Sequence, residues 1–320
     1  MRSSIKGTDM ATKNYGAGHR QMDKAGRIKL KQANEQKEIS FGTQKRYGQA
    51  WNQFCAWARE QEDGAKLMER VTREMVIEYG RELAQKVDEG ELKTSTAQNA
   101  VSTVNRVLQI SGNRNWKSVS PTKECGIPQR SGSRNTVPDA VDRQVYEERL
   151  QVVREVAGER AAAVCELARN LGLRSKEASL LDARAALKSA EKNGVVKISD
   201  GSKGGRPREL KIPEASPQMQ ALKVAAEAQG TARALIPADQ NWKQWVQGDL
   251  RAAREAMGGL HELRSAYACE RYEQLTGSNP PCSGVKISDR NLDLEARQTI
   301  SNELGHNRID VVNSYIGGRR

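Results

Sequence analysis

Apolar residues return at steps of three and four along most of this chain, and the beat breaks at clusters of Gly, Pro, Ser and Asn. After a cap at Thr43, Tyr47, Trp51, Phe54 and Ala58 share one helical face. A second helix starts near Thr72, with Met75, Val76, Tyr79, Leu83 and Val87 on one side. A third starts near Ser95 or Thr96, carries Val101, Val104 and Leu108, and stops at Ser111, Gly112 and Asn113. Residues 118–138 are rich in Pro, Gly, Ser and basic side chains and read as a linker. Residues 1–38 are polar and basic with little to bury, so a largely disordered arm is expected there, with room for a short helix near its end.

Beyond Pro138 the helical beat resumes. Val141, Val145, Leu150, Val153 and Val156 form one run, and Val164, Leu167 and Leu171 the next. Two short strands are predicted, Val195–Ile198 and residues 210–212, flanking Lys203 and so placing it on or beside a β-hairpin turn. Trp242, Trp245, Leu250, Ala253 and Met257 predict one more helix, ending at Gly258 and Gly259 before a helix that carries His261. The fold class is mainly α with a small antiparallel β-sheet, in two domains.

The charge narrows the partners. Lys and Arg number 52 against 40 Asp and Glu, a formal +12 over 320 residues, which favours polyanions through phosphate contacts. No apolar run reaches the roughly 18 residues of a membrane span, and the start lacks the charged and apolar blocks of a secretory signal, so a cytoplasmic protein is expected. Cys55, Cys125, Cys165, Cys269 and Cys282 form no C-x-x-C pair, and His19, His261 and His306 are the only histidines. No metal and no cofactor are expected.

The carboxy-terminal half holds Arg174, Lys203, His261, Arg264, His306 and Tyr315, in that order. Each has a plain reading. Arg174 follows a helix-ending Gly172 and lies one turn from Glu177, an i,i+3 ion pair; Lys203 is a loop lysine, and a late tyrosine is more often core than chemistry. Taken together they suit a phosphodiester in transfer: guanidinium groups neutralise the charge on the non-bridging oxygens, a tyrosine attacks, and a histidine and a lysine move the two protons.

The stretches NLGLRSKEASLL around Arg174, SKGGRPRELKIP around Lys203, LHELRSAYA around His261 and Arg264, and ISNELGHNRIDVVNSYIG around His306 and Tyr315 resemble the signature boxes of the tyrosine recombinases, the phage integrase family. The resemblance spans roughly residues 140–320 and keeps the family's order; Tyr315 follows His306 by nine positions. It implies a catalytic domain over residues 139–320 and a helical core-DNA-binding domain over 39–117, closing as a clamp on a duplex. It further implies that Arg174, Arg264 and His306 bind the scissile phosphate, that His261 assists proton transfer at Tyr315, that Lys203 protonates the leaving 5′ oxygen and that Glu177 supports Arg174. Tyr315 becomes esterified to the 3′ phosphate, and four protomers exchange strands between paired sites, with DNA-bending proteins as possible accessories. Many family members dock a tail after the tyrosine on the neighbouring subunit; residues 316–320 are too short for such a docking helix, and the usual cyclic tail exchange is not expected. The rival readings are a type IB topoisomerase-like relaxase with the same chemistry, and a non-catalytic DNA-binding protein.

Overall fold

A computed structural model of the chain describes residues 13–61, 64–202, 205–306 and 308–319. They fall into two compact units, one ending at Arg130 and the other beginning at Ser131.

The amino-terminal unit holds α1 (Lys13–Gly16, a single turn), α2 (Met22–Glu35), α3 (Phe41–Glu60), α4 (Arg73–Asp88) and α5 (Thr94–Ile110). Its core is the apolar stripe expected from the spacing: Trp51 and Phe54 of α3, Val76 and Tyr79 of α4, and Val101, Val104 and Leu108 of α5. Phe54 meets Tyr79 edge-on, with ring centroids 5.2 Å apart, the favoured arrangement of two ring quadrupoles. Thr72 caps α4 by accepting from the Met75 amide at 3.2 Å. The cap of α3 is Ser40, ahead of Thr43, whose amide donates to the Ser40 hydroxyl at 3.2 Å.

Two stretches differ from expectation. The arm expected to be disordered is helical from Met22: α2 buries Met22, Ala25, Leu30 and Ala33, and Trp51 Nε1 donates to the Met22 carbonyl at 3.1 Å. Small residues make up much of that buried face, so the polar composition hides a stripe whose spacing is helical. Residues 1–12 lie outside the described residues. The expected linker is also partly core, since Val119, Cys125 and Ile127 are buried in this unit. Asn105 secures it, donating to the Val119 carbonyl at 2.8 Å and accepting from the Val119 amide at 2.9 Å. Such a pair satisfies buried backbone where no strand partner exists.

The carboxy-terminal unit runs α6 (Arg143–Leu171), α7 (Ser175–Leu180), α8 (Ala183–Asn193), β1 (Val195–Ile198), β2 (Arg208–Lys211), α9 (Pro217–Gln229), α10 (Trp242–Gln247), α11 (Asp249–Met257), α12 (Leu260–Thr276), α13 (Arg290–Glu303) and α14 (Asn313–Ile316). The two apolar runs expected after Pro138 are the halves of α6, parted at Gly158, whose backbone is not helical. The strands pair antiparallel with Val195 opposite Lys211 and Ile198 opposite Arg208, so the second strand starts two residues before the expected 210–212. The helix expected over 242–257 is divided at Gly248 into α10 and α11. Helices α7, α8, α9 and α13 are not among the expected elements: α8 buries only Ala183, Ala186 and Ala190, a face too small to stand out by hydropathy.

One core cluster surrounds α6 and includes Leu150, Val153, Leu167, Leu222, Trp245 and Leu263. A second gathers Tyr267, Cys269, Ile300, Leu304, Val312, Tyr315 and Ile316. Among the described residues no helix is long and apolar enough to cross a membrane.

Gly172 ends α6 in the left-handed conformation, φ 64°, and a Cβ there would lie 2.5 Å from Tyr267 Cδ1 and 2.9 Å from Leu304 Cδ2. Gly172→Ala is expected to cost about 2–4 kcal/mol, combining the left-handed backbone penalty with overpacking. Denaturant unfolding measures it, and an unchanged midpoint would show that the close approach carries no weight.

Candidate active site

The site starts where α6 stops. Left-handed Gly172 turns the chain so that Arg174 becomes the N-cap of α7. Glu177, three residues on, reaches back: its Oε2 accepts from the Arg174 amide at 2.8 Å and its Oε1 from Arg174 Nη1 at 2.6 Å. The same carboxylate receives a second guanidinium from β2, with Arg208 Nη1 at 3.0 Å from Oε1 and Nη2 at 2.8 Å from Oε2. Burial by itself would raise the Glu177 pKa, but the hydrogen bonds and charges of Arg208 and Arg174 outweigh it and hold the carboxyl at about 2.

Arg264 rises from the first turns of α12 and is buried. Its Nη1 donates to the carbonyl of Gly172 and its Nη2 to that of Leu304. These carbonyls end α6 and α13, where unsatisfied C=O groups give a helix its negative pole. A buried guanidinium is thus seated on two helix ends. Burial first, and the neighbouring Arg174 charge next among the opposing influences, lower its pKa to about 10, so it stays cationic at neutral pH.

Arg264 Nε donates to Tyr315 Oη at 3.3 Å. His306 Nε2 lies 3.1 Å from the same hydroxyl and 3.2 Å from Arg264 Nη2. A guanidinium only donates, so Nε2 is the acceptor and the neutral tautomer with its proton on Nδ1 fits the arrangement. The His261 ring also lies beside Tyr315, centroids 5.2 Å apart. Partial desolvation, then the Arg264 charge, hold the His261 pKa below its ordinary value, so its imidazole is neutral at pH 7 and able to accept a proton.

The segment carrying Tyr315 is anchored from behind. Arg297 and Asp293 form a buried pair at 2.7 Å. Arg297 Nη1 donates to Asn313 Oδ1 at 2.7 Å and to the Gly317 carbonyl at 3.0 Å, and Arg319 Nε reaches Asp293 at 2.9 Å. Ile316 is fully buried, so the residue after Tyr315 is part of this unit's core.

The structure therefore brings Arg174, Glu177, His261, Arg264, His306 and Tyr315 together. Lys203 lies outside the described residues.

Residues 130–270 match the family model described as Integrase. The matched stretch, which carries Arg174, His261 and Arg264, is similar to the integrase family.

Solved structures share the recombinase fold. A lambda integrase dimer bound to a COC′ core site is 15% identical with a TM-score of 0.56, over 91% of this chain and 96% of that one. The Tn1549 transposon integrase in complex with transposon right end DNA is 12% identical with a TM-score of 0.54, over 92% and 95%. A lambda integrase tetramer bound to a Holliday junction is 16% identical with a TM-score of 0.53, over 96% and 83%. A comparison with curated proteins found no match.

Two parts of the site are absent from the sequence-based expectation. The backbone carbonyls of Gly172 and Leu304 have no signature in side-chain identity. Arg208 has one: strand alternation puts it on the same face as buried Leu210, and an arginine on an inward face needs a partner. Among the described residues no group of three His, Cys, Asp or Glu is placed to hold a metal ion.

Glu177 gives the site a pH signature. Its folded pKa of about 2 lies below the ordinary 4.5, so its stabilising contribution is complete above about pH 4.5 and is lost as pH falls through 2. At neutral pH this amounts to about 3 kcal/mol. Between pH 7 and pH 3 the stability gap between wild type and Glu177→Gln should narrow by about 2 kcal/mol in denaturant unfolding. A gap that is constant with pH would remove the charge from the account.

Proposed function

We propose that the chain is a site-specific DNA recombinase in which Tyr315 attacks a scissile phosphate and forms a 3′-phosphotyrosyl ester, which a free 5′ hydroxyl of another strand then displaces. The observation that carries the reading is the Tyr315 hydroxyl resting on Arg264 Nε and His306 Nε2, beside a second arginine fixed by a buried carboxylate. The two guanidinium groups are donors of the kind a phosphate's non-bridging oxygens require.

As the phosphate takes its place on Arg174 and Arg264, the hydroxyl is released toward the phosphorus, and His306, shifting to the tautomer protonated on Nε2, donates to an oxygen of the phosphate. The proton leaving Tyr315 goes to neutral His261. Lys203, assigned from its sequence box, protonates the departing 5′ oxygen. The bond from phosphorus to that oxygen breaks as the bond to Tyr315 forms, so the ester conserves the energy needed for rejoining. The partner is double-stranded DNA with paired sites, in a cytoplasmic setting. The lambda integrase tetramer on a Holliday junction supports assembly of four protomers for strand exchange.

Tyr315→Phe should bind its target DNA and give no covalent adduct on a denaturing gel, since only the attacking oxygen is lost. An adduct that persists would remove Tyr315 from the nucleophile role.

Lys203→Ala should slow cleavage severely on ordinary DNA. It should cut at nearly the wild-type rate when the bridging 5′ oxygen is replaced by sulfur, a leaving group that needs no proton. Equal defects on both substrates would make Lys203 a groove contact.

A further inference from the structure

We propose that Arg208 is a positioning residue whose work is to keep the Arg174 guanidinium open toward the phosphate. The inference rests on the recombinase reading of this site.

A carboxylate offers about four lone-pair directions. On Glu177 all four are taken: the Arg174 amide and Arg208 Nη2 on Oε2, and Arg174 Nη1 and Arg208 Nη1 on Oε1. Arginine and carboxylate left to themselves favour a two-pronged pairing. Here Arg208 holds the two-pronged place, so Arg174 is tied through one guanidinium nitrogen and its remaining N–H groups stay directed elsewhere. Solvent reaches the Arg174 side chain, 21% exposed, but not Glu177, 0% exposed, so the unused N–H groups are on the accessible side.

Arg208 is itself fixed. Its Nε donates to the Glu303 carbonyl at 2.7 Å, and its side chain is 7% exposed. Its stem passes Gly305, where a Cβ would lie 3.1 Å from Arg208 Cδ and Nη1; the glycine beside His306 leaves room for it. One side chain of β2 thus joins the carboxylate behind Arg174 to the end of the helix that leads to His306. Removing it frees Glu177 to chelate Arg174 with both oxygens and draw it out of the cleft. Lysine keeps the charge but cannot form the fork.

The test compares wild type, Arg208→Ala, Arg208→Lys and Arg174→Ala in single-turnover cleavage of two DNAs: an ordinary phosphodiester and one with a neutral methylphosphonate at the scissile position. Both Arg208 variants should bind DNA like wild type and cut the phosphodiester roughly 10–100-fold more slowly, the cost of a misplaced charge-stabilising group. On the methylphosphonate, where one charge is absent and the clamp matters less, they should recover in parallel with Arg174→Ala. Equal losses on both substrates, or a defect confined to DNA binding, would reduce Arg208 to scaffold and overturn the proposal. Arg208→Lys carries the comparison if the alanine variant does not fold. Absence of a wild-type adduct would overturn the functional reading itself, whereas a wild-type adduct with Arg208→Ala cutting at full rate would overturn this role alone.

Discussion

A single buried carboxylate organises the carboxy-terminal unit of this molecule. Glu177 has no exposure to solvent, and an ionised group in that position is tolerable only when its charge and its lone pairs are met. Arg174 and Arg208 meet both, and Arg264 Nη1 stands 3.9 Å away. The requirement runs in both directions: the carboxylate needs the arginines to remain ionised, and the arginines are located by it. Because Arg208 belongs to the hairpin and Arg174 to the start of α7, satisfying one buried charge fixes the hairpin against the helix.

Arg264 solves a related problem by different means. It has no short carboxylate contact, and a buried cation seldom survives without one. Its compensation comes from backbone, through the carbonyls of Gly172 and Leu304 at the ends of two helices. The polar groups that those helices leave unsatisfied at their ends are thereby paired, and the guanidinium gains a negative environment without a side chain that would compete with a phosphate for its charge. Tyr315 and His306 then complete the shell. Stability and chemistry draw on the same contacts here, so the site's arginines are also structural members of the fold.

Arg297 anchors the Tyr315 segment from behind. Paired with buried Asp293 and donating to the Gly317 carbonyl and to Asn313, it holds a short piece of chain that has one turn of helix and little periodic structure of its own. Tyr315 keeps its place on such a piece because residues on both sides of it are packed, Val312 before and Ile316 after.

Much of this was legible in the order of residues. Large apolar side chains at helical spacing located α3, α4, α5, the halves of α6 and the helices around Trp245 and His261, because burying a helix face demands that period. Arg174, His261, Arg264, His306 and Tyr315 stand out by type and order, because phosphodiester chemistry restricts what can serve, and Glu177 follows only from the resemblance. Three things were not legible. Helices α2 and α8 bury small residues, whose contribution depends on how closely a partner approaches, and the sequence does not state the partner. The stretch after Ser118 looked like a linker because three buried side chains in an irregular segment have no period to detect. The pairing of Arg208 with Glu177, 31 positions apart, and the seating of Arg264 on two helix ends depend on which backbone groups are left unsatisfied once the helices stop, and that is settled only when the chain is packed.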